Sequence, residues 1–384
     1  MKILHCCLSN FYAEGFGYQE NLLPKANRMA GHDVSILASC ETYVAGETGM
    51  VLVEPCSYTN EDGCFVTRVP YRKGLPLFLA RKVRAYEGVW EQIEKMRPDV
   101  IFFHGMSGYE MMTVARYGRK HPETRLCCDN HAAFVNSART FFSKNVLHKG
   151  MYRYWVARSL DAFDAVYAIA PECADFLVDI YGVPRDRVEM AYLGDFVEPE
   201  DAYRAKRGCA RRRLGVGDEE VVLAHSGKLT SEKRTKDILD AMRRVTDPRL
   251  RLVIAGNADP DVKKVIDTAI ARDSRISFAG WRGREDMVEL LSGADVYVQP
   301  GTPSSTAQTA LCCRCALAVR HAPIYFDLLG EDGWYIEGPE SIAALLTAIL
   351  NEGGKLDAER ARAFSISKER LDYRRFSLAM TGGL

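Results

Sequence analysis

Residues 221–234 read VVLAHSGKLTSEKR: a run of mostly apolar residues closes on Gly227, Lys228 follows at once, and Lys233 and Arg234 come shortly after it. An apolar run of this length ending in small residues is a buried strand, and the helical spacing of the next segment, TKDILDAMRRV, makes the whole a strand-loop-helix unit. In open α/β sheets ligands bind beyond the carboxyl ends of the strands, which is where this loop falls. Separated cations there suit a diphosphate, because lysine offers a mobile point charge and arginine a two-pronged fork. Taken alone, the segment also reads as a solvated basic loop capping a helix, so the rest of the chain must decide.

Downstream the pattern repeats: strand LRLVIAG, a helix, strand ISFAG, helix EDMVELLSGA, strand DVYVQP, helix SSTAQTALCCRCA, strand ALAVRH, a late strand WYIEG and helix ESIAALLTAIL. Upstream it begins with strand MKILHCCLS, a loop holding Gly15 and Gly17, the amphipathic helix YQENLLPKANRMAG and strand HDVSILAS. That loop lacks the spacing of a dinucleotide fingerprint, so its glycines permit close approach of a ligand without naming one. Residues 45–75 show no period and read as irregular loop or short hairpin. After helix AYEGVWEQIEKM, strands PDVIFFHG and TRLCCDNHA each leave a histidine just past the strand end, His104 and His131, and Asp129 stands ready to orient His131 or to cap the next helix. Strands alternating with helices in both halves predict α/β architecture with two doubly wound, Rossmann-like parallel-sheet domains facing across a cleft. The expected bounds are 1–196 and 197–366, with a hinge at Gly194, a solvated linker helix over Arg204 to Arg213, and 367–384 packing back towards the N-terminal domain.

Composition narrows the function. The 384 residues include 51 basic and 51 acidic side chains, a formal net charge of zero, so no global field draws the chain to nucleic acid. The opening MKILHCCLSNFY breaks into polar residues too soon for a signal peptide, and no stretch is long and apolar enough for a membrane span. Twelve cysteines without regular pairing predict reduced thiols and a cytoplasmic protein. Cys312 and Cys315 form a C-x-x-C late in a predicted helix, where small buried residues are the plain reading and redox or zinc chemistry the sharper one. The helical stretch Phe141 to Asp161 mixes Lys144, Lys149, Arg153 and Arg158 with Phe141, Phe142, Tyr152, Tyr154 and Trp155. It reads either as an ordinary domain helix or as a surface for a lipid-linked or anionic acceptor, which leaves room for peripheral contact with the inner face of the membrane.

The order and spacing of these segments resemble the family 4 retaining glycosyltransferases of the GT-B fold over nearly the whole chain. The blocks GYQENLLPKANRMAGHDVSILAS, DNHAAFVNSARTFFSKNVLHKGMYRY and VYVQPGTPSSTAQTALCCRCALAV are similar to bacterial members of capsule, O-antigen and exopolysaccharide assembly. The resemblance implies that Gly227, Lys228, Leu229 and Lys233 are the motif supplying cations to the donor diphosphate, and that backbone near Trp281 and Arg282 reads the nucleotide base. It also implies that His131 and His104 approach the donor sugar. The family's pair of glutamates separated by seven residues is absent here. Gln308 falls where the second binds the ribose hydroxyls, and an amide can still bond a diol. The first has no counterpart, because the loop from Pro300 to Ser304 is short, and that puts sugar identity in doubt. In its place stand Thr302, Ser304, Ser305 and Thr306 at a helix N-terminus, suited to phosphate oxygens or to simple N-capping by Ser304 or Ser305.

The chemistry implied by the resemblance is retaining, hexosyl-type transfer from a nucleotide diphosphate sugar, with UDP-sugar as the default, to a saccharide or lipid-linked acceptor. Fixed cations aimed at the charge growing on the leaving diphosphate make a metal and any other cofactor unnecessary. Asp259 and Asp261 do form a D-x-D, read here as loop and cap rather than metal ligands. Two rival classes share the architecture. A nucleotide-sugar epimerase would turn over donor without acceptor, and a binding protein with a decayed site would hold nucleotide without transferring the sugar.

Overall fold

The computed structural model describes residues 1–43 and 49–383. The chain divides into two compact units, Met1–Tyr192 with Tyr373–Leu384, and Leu193–Asp372.

In the first unit the strands are β1 (Lys2–Cys7), β2 (Asp33–Ser39), β3 (Glu41–Tyr43), β4 (Met50–Leu52), β5 (Ser57–Thr59), β6 (Phe65–Val69), β7 (Val100–Phe103), β8 (Arg125–Asn130), β9 (Ala165–Ala168) and β10 (Val188–Met190). They form a sheet of order β10-β9-β8-β7-β1-β2-β6-β5, with β3 and β4 as a separate antiparallel pair. All the sheet pairings are parallel except β5 on β6. Every residue of β7 and β9 is buried, as expected where helices cover both faces of a parallel sheet.

Of the two readings of residues 45–75, the short hairpin is present, β5 antiparallel to β6, and what neither reading foresees is that it joins the main sheet; 45–48 lie outside the described residues. Here β6 is a full sheet member, in parallel register with β2 from Ser35 opposite Phe65 to Ser39 opposite Val69. Its sequence, FVTRV, hides the fact because the buried position Arg68 is charged. The guanidinium is satisfied by the Ser39 carbonyl at 3.0 Å and by the faces of the Tyr12 and Tyr58 rings. A short helix, Leu77–Val83, follows and ends on Arg84 in the left-handed region (φ 52°).

The second unit has β11 (Val221–Leu229), β12 (Leu250–Ala258), β13 (Ile276–Gly280), β14 (Val296–Gln299), β15 (Ala316–Val319) and β16 (Trp334–Tyr335). All are parallel, in the order β13-β12-β11-β14-β15-β16. In both units the winding reverses beside the first strand, between β11 and β14 and between β1 and β7. Those reversals are where a doubly wound sheet opens a crevice for ligand.

The basic segment from Arg204 to Arg213 is not a solvated linker. It belongs to the helix Glu200–Leu214, whose Arg207 and Arg211 grip the two oxygens of buried Asp295 at 2.5 and 3.1 Å, with further bonds to carbonyls at the end of the helix Arg284–Gly293. Asp295 also accepts the Val222 N–H at 2.8 Å, which ties this helix to the starts of β11 and β14. The C-x-x-C expectation is corrected in part: its helix ends at Cys312, Arg314 turns the chain at φ 62°, and Cys315 lies outside it. All twelve cysteines are free, and Cys312 and Cys315 are packed in the interior, where burial pushes their thiols up. In the aromatic and basic stretch, a π-helical segment Ser143–Tyr152 runs into the helix Arg153–Ser159; Tyr152 and Trp155 are buried, whereas Phe141, Phe142 and Tyr154 face solvent.

The helix Tyr373–Met380 belongs to the first unit. Its Phe376 meets Phe102 and Tyr167 edge-on, and its Ser377 bonds Asn27 of the helix Gln19–Met29. The chain leaves the first unit between Tyr192 and Leu193, so Gly194, the expected hinge, already lies in the second; it presses so close to Leu371 that a Cβ there would lie 1.8 Å from the Leu371 carbonyl oxygen.

Candidate functional site

In the second unit the site is built at the reversal between β11 and β14. Gly227 has φ +132°, open to glycine alone at low cost, and Gly256 opposite it on β12 has so little room that a Cβ would sit 1.9 Å from the Gly227 oxygen. This close approach fixes the end of β11, where Lys228 stands exposed and its side chain, among the described residues, makes no hydrogen bond or ion pair. A Cβ built on Gly227 would have Lys233 Cε at 3.7 Å and Ser304 Oγ at 3.9 Å, so these residues converge on one spot.

Lys233 is mostly buried, and burial lowers its ammonium below the usual value, against a raising contribution from Glu232. Its Nζ donates to the carbonyls of Thr302 at 2.9 Å and Pro303 at 3.2 Å. An ammonium has three N–H groups, so one remains for a ligand. The loop it holds is pinned further by the Thr302 N–H on the Glu232 carbonyl (3.1 Å), by Gln299 Nε2 on the Thr302 carbonyl (2.9 Å), and by Gly301, where a Cβ would lie 2.1 Å from the Glu232 oxygen. Behind the loop, His225 offers Nδ1 to the Val298 carbonyl at 2.8 Å and Nε2 to the Thr235 hydroxyl at 3.0 Å. Burial, with the nearby Lys233 charge, lowers His225 to about 4, so it is neutral and locks β11 to β14 and to the helix Thr235–Arg244.

Of the hydroxyls ahead of the helix Ser305–Cys312, Ser304 is the cap, accepting the Thr306 N–H at 3.3 Å. Its own N–H donates to the Tyr325 hydroxyl at 3.0 Å. Ser305 is exposed, Thr302 and Thr306 are half-buried, and Gln308 is buried on the next turn. Trp281, 62% exposed, and Arg282 follow β13 on the outer side of β12. Asp259 takes the N-cap position of the helix Pro260–Ile270, in keeping with its loop-and-cap reading, although its side chain makes no bond to the helix. Asp261 is 97% exposed beside Lys264, and no group of three metal-ligating side chains occurs among the described residues.

In the first unit, His104 and His131 follow β7 and β8 and meet at one carboxylate, that of the fully buried Asp129. His131 Nε2 lies 3.2 Å from Asp129 Oδ2, His104 Nδ1 lies 3.5 Å from the same oxygen, and the Gly105 N–H donates to Oδ1 at 2.7 Å. Burial alone would lower His131; the Asp129 carboxylate more than reverses this and pushes it up to about 9. Burial would likewise raise Asp129, but the two histidines hold it well below the usual carboxylate range. At neutral pH the pair is therefore an imidazolium and a carboxylate.

A chain of hydrogen bonds runs inward from this pair through residues the sequence did not flag. The Asn27 amide nitrogen, which can only donate, lies 2.8 Å from His5 Nε2; the His5 proton is thus on Nδ1, which faces His104 Nε2 at 3.0 Å. The His104 proton then sits on Nδ1, aimed at Asp129. At the far end Ser377 bonds the Asn27 oxygen. A histidine inside the apolar strand KILHCC was the available signal, since a buried imidazole requires partners. Gly15 and Gly17 lie exposed in the loop before the helix Gln19–Met29, in this unit and not in the one that carries Lys228.

Residues 23–194 match the glycosyl transferase 4-like domain, and residues 207–366 match the glycosyl transferases group 1. The chain belongs to the family 4-like glycosyltransferases of the GT-B fold. A GDP-mannose:glycolipid 4-beta-D-mannosyltransferase from Xanthomonas campestris pv. campestris is 46% identical over 138 residues, which cover 34% of this chain and 40% of that one. A D-inositol 3-phosphate glycosyltransferase from Stackebrandtia nassauensis is 29% identical over 153 residues, 37% of this chain and 33% of that one. The matches thus span well under half the length of these relatives. Among solved structures, Anabaena HepE in complex with UDP superposes with a TM-score of 0.64 at 14% identity over 100% of both chains. WaaG, a glycosyltransferase involved in lipopolysaccharide biosynthesis, does so with a TM-score of 0.60 at 14% identity over 99% of this chain and 100% of that one.

Proposed function

We propose that the chain transfers a hexose, with retention of configuration and without a metal, from a UDP-sugar to a saccharide carried on a lipid, in surface polysaccharide or glycoconjugate synthesis at the cytoplasmic face of the membrane. The observation that carries this reading is the convergence at the end of β11, where an unpaired Lys228, one spare N–H of Lys233 and the start of a helix surround a single position. Breaking the bond between the anomeric carbon and the diphosphate oxygen leaves negative charge on the diphosphate, and preformed cations and N–H groups stabilise that charge by several kcal/mol. The acceptor hydroxyl oxygen bonds the anomeric carbon and its proton passes to the leaving phosphate oxygen. His131 is assigned to a hydroxyl of the donor sugar, as a hydrogen-bond donor. Already protonated at neutral pH, it is a poor base for the acceptor, which favours the route through the leaving phosphate.

A second reading takes GDP-mannose as donor and makes a β-linkage. It is favoured by the 46% local identity to an enzyme with that printed specificity, and by the missing first glutamate of the family pair. A panel of nucleotide sugars in thermal-shift titration separates the two, since a ligand at a hundred times its dissociation constant stabilises by about 2.7 kcal/mol. The one-bond C1–H1 coupling of the product then reads the stereochemistry, since the H1–H2 coupling of a mannoside is small in both anomers. Turnover of donor without acceptor would convert the reading to an epimerase. Nucleotide binding with neither hydrolysis nor transfer would convert it to a binding protein.

A further inference from the structure

Apolar side chains scattered singly over a surface need no explanation, but a contiguous group does. Nine of the large apolar side chains that face solvent come from two short segments, 75–79 and 134–146. In the first, LPLFL, Leu77, Phe78 and Leu79 are all exposed, on the short helix Leu77–Val83. In the second, Val135 is 80% and Phe141 83% exposed, with Phe142 beside them. The π-helical segment after Phe142 turns His148 and Tyr152 inward, so its outward apolar residues are not its core-facing stripe.

The end of that short helix, just past Leu79, and residues 136–140 of the second segment help to wall one cavity of about 300 Å³, which the exposed apolar side chains flank in sequence without lining it. Its lining carries Arg81, Lys82, Arg84 and Arg139 and no carboxylate side chain. Arg81 is shared with Glu41 at 2.8 Å, and Arg84 spends one nitrogen on the carbonyls of Ser9 and Ser107, leaving its buried Nε without a partner. Lys82 and Arg139 are exposed, and among the described residues their side chains make no ion pair. The charge is felt inside: burial, joined by the cations Arg84 and Lys82, lowers His148 to about 4. The wall reaches the candidate site, because Asn136, which lines the cavity, donates to the His131 carbonyl at 3.0 Å.

We propose that this face docks on a lipid bilayer, with the cavity holding the phosphate of an anionic lipid and the Phe78 and Phe141 side chains entering the acyl region. Exposed apolar side chains next in sequence to the cations of the cavity match a phosphate above hydrocarbon, whereas a folded protein partner would leave no role for the exposed phenyl groups of both segments that supply those cations. The inference deepens the proposed use of a lipid-carried acceptor but stands on the surface itself. Vesicle binding without transfer would keep it and sink the transfer reading, and transfer without vesicle binding would do the reverse.

The test is co-sedimentation of the full chain with vesicles of phosphatidylcholine alone and with phosphatidylglycerol added. Binding is expected only with phosphatidylglycerol, weakening as salt rises. Phe78→Ser with Phe141→Ser, and separately Lys82→Ser with Arg139→Ser, should each reduce partitioning at least tenfold while leaving the melting temperature and nucleotide affinity unchanged. Equal binding to both vesicle types, binding to neither, or full retention in both variants overturns the proposal. So does displacement from vesicles by millimolar inorganic phosphate, which would mark a site for a free anion, or an apolar-variant-sensitive dimer that ignores vesicles.

Discussion

Replacing Asp129 by Asn should collapse the charge on His131. At 3.2 Å and an effective dielectric of about 20, the carboxylate attracts the imidazolium by about 5 kcal/mol, or nearly 4 pKa units. Burial takes part of this back, leaving His131 at about 9. In Asp129→Asn burial is opposed only by the smaller effect of the Glu20 charge, so His131 should titrate below the unfolded value of about 6.5, a fall of at least ~2.5 units or ~3 kcal/mol. Asparagine keeps an acceptor for the Gly105 N–H, so the loop is not otherwise disturbed. The sign follows from a raised histidine: its stabilising contribution is complete below pH ~6.5 and is lost as pH rises through about 9. The variant should therefore be less stable by ~3 kcal/mol near pH 6, with the gap closing towards pH 10. If the imidazolium serves transfer, the alkaline limb of activity moves down by the same interval. NMR titration of the His131 ring protons, with His104 and Glu20 as the other titratable neighbours, measures the shift directly. Titration of His131 within half a unit in both proteins would refute the argument, whatever happens to activity.

Lys228→Ala should cut transfer at least tenfold, about 1.4 kcal/mol, with an unchanged melting temperature, because the side chain holds nothing in the folded chain; equal loss of stability would place it in the scaffold. Lys233→Ala should lose activity and stability together, since the carbonyls of Thr302 and Pro303 lose their donor, and denaturant unfolding separates the two lysines. Between pH 7.5 and 5 the unfolded chain takes up a proton that neutral His225 refuses until about 4, which costs about 2 kcal/mol; His225→Gln should recover that difference in urea unfolding at the two pH values. Gln308→Ala should weaken nucleoside diphosphate and nucleotide sugar alike by about 1–3 kcal/mol in calorimetric titration, and unchanged diphosphate affinity would remove Gln308 from the ribose.

The parallel sheets were legible because buried strands such as VIFF and AVYA are short apolar runs between turn signals, and the loop after Gly227 was legible because cations follow a strand end at once. Arg68 and Arg211 defeated the same reasoning. A charged residue in a strand or on a basic helix looks solvated until the carbonyls, rings or carboxylate that receive it are known, and those lie far away in sequence. The helix Leu77–Val83 was invisible for a different reason: two turns give too little period to detect, and its apolar residues face outward. His131 could be picked out by its place after β8, but not its charge state, which depends on a carboxylate held in total burial. The line from Ser377 to His5 joins residues hundreds of positions apart, and no local pattern encodes it.

That same line bears on how the chain is made. The helix Gln19–Met29 leaves the ribosome well before the helix Tyr373–Met380 that packs on it, which is synthesised after the whole of Leu193–Asp372. Until then Asn27 and His5, both fully buried in the finished protein, are covered on one side only. Domains generally fold as units during synthesis, but here only the inserted one can be complete before residues 373–380 are made. The earlier unit must wait, partly open, for its last helix, and a nascent chain stalled short of residue 373 should remain protease-sensitive around residues 19–29 even after its second unit has become resistant.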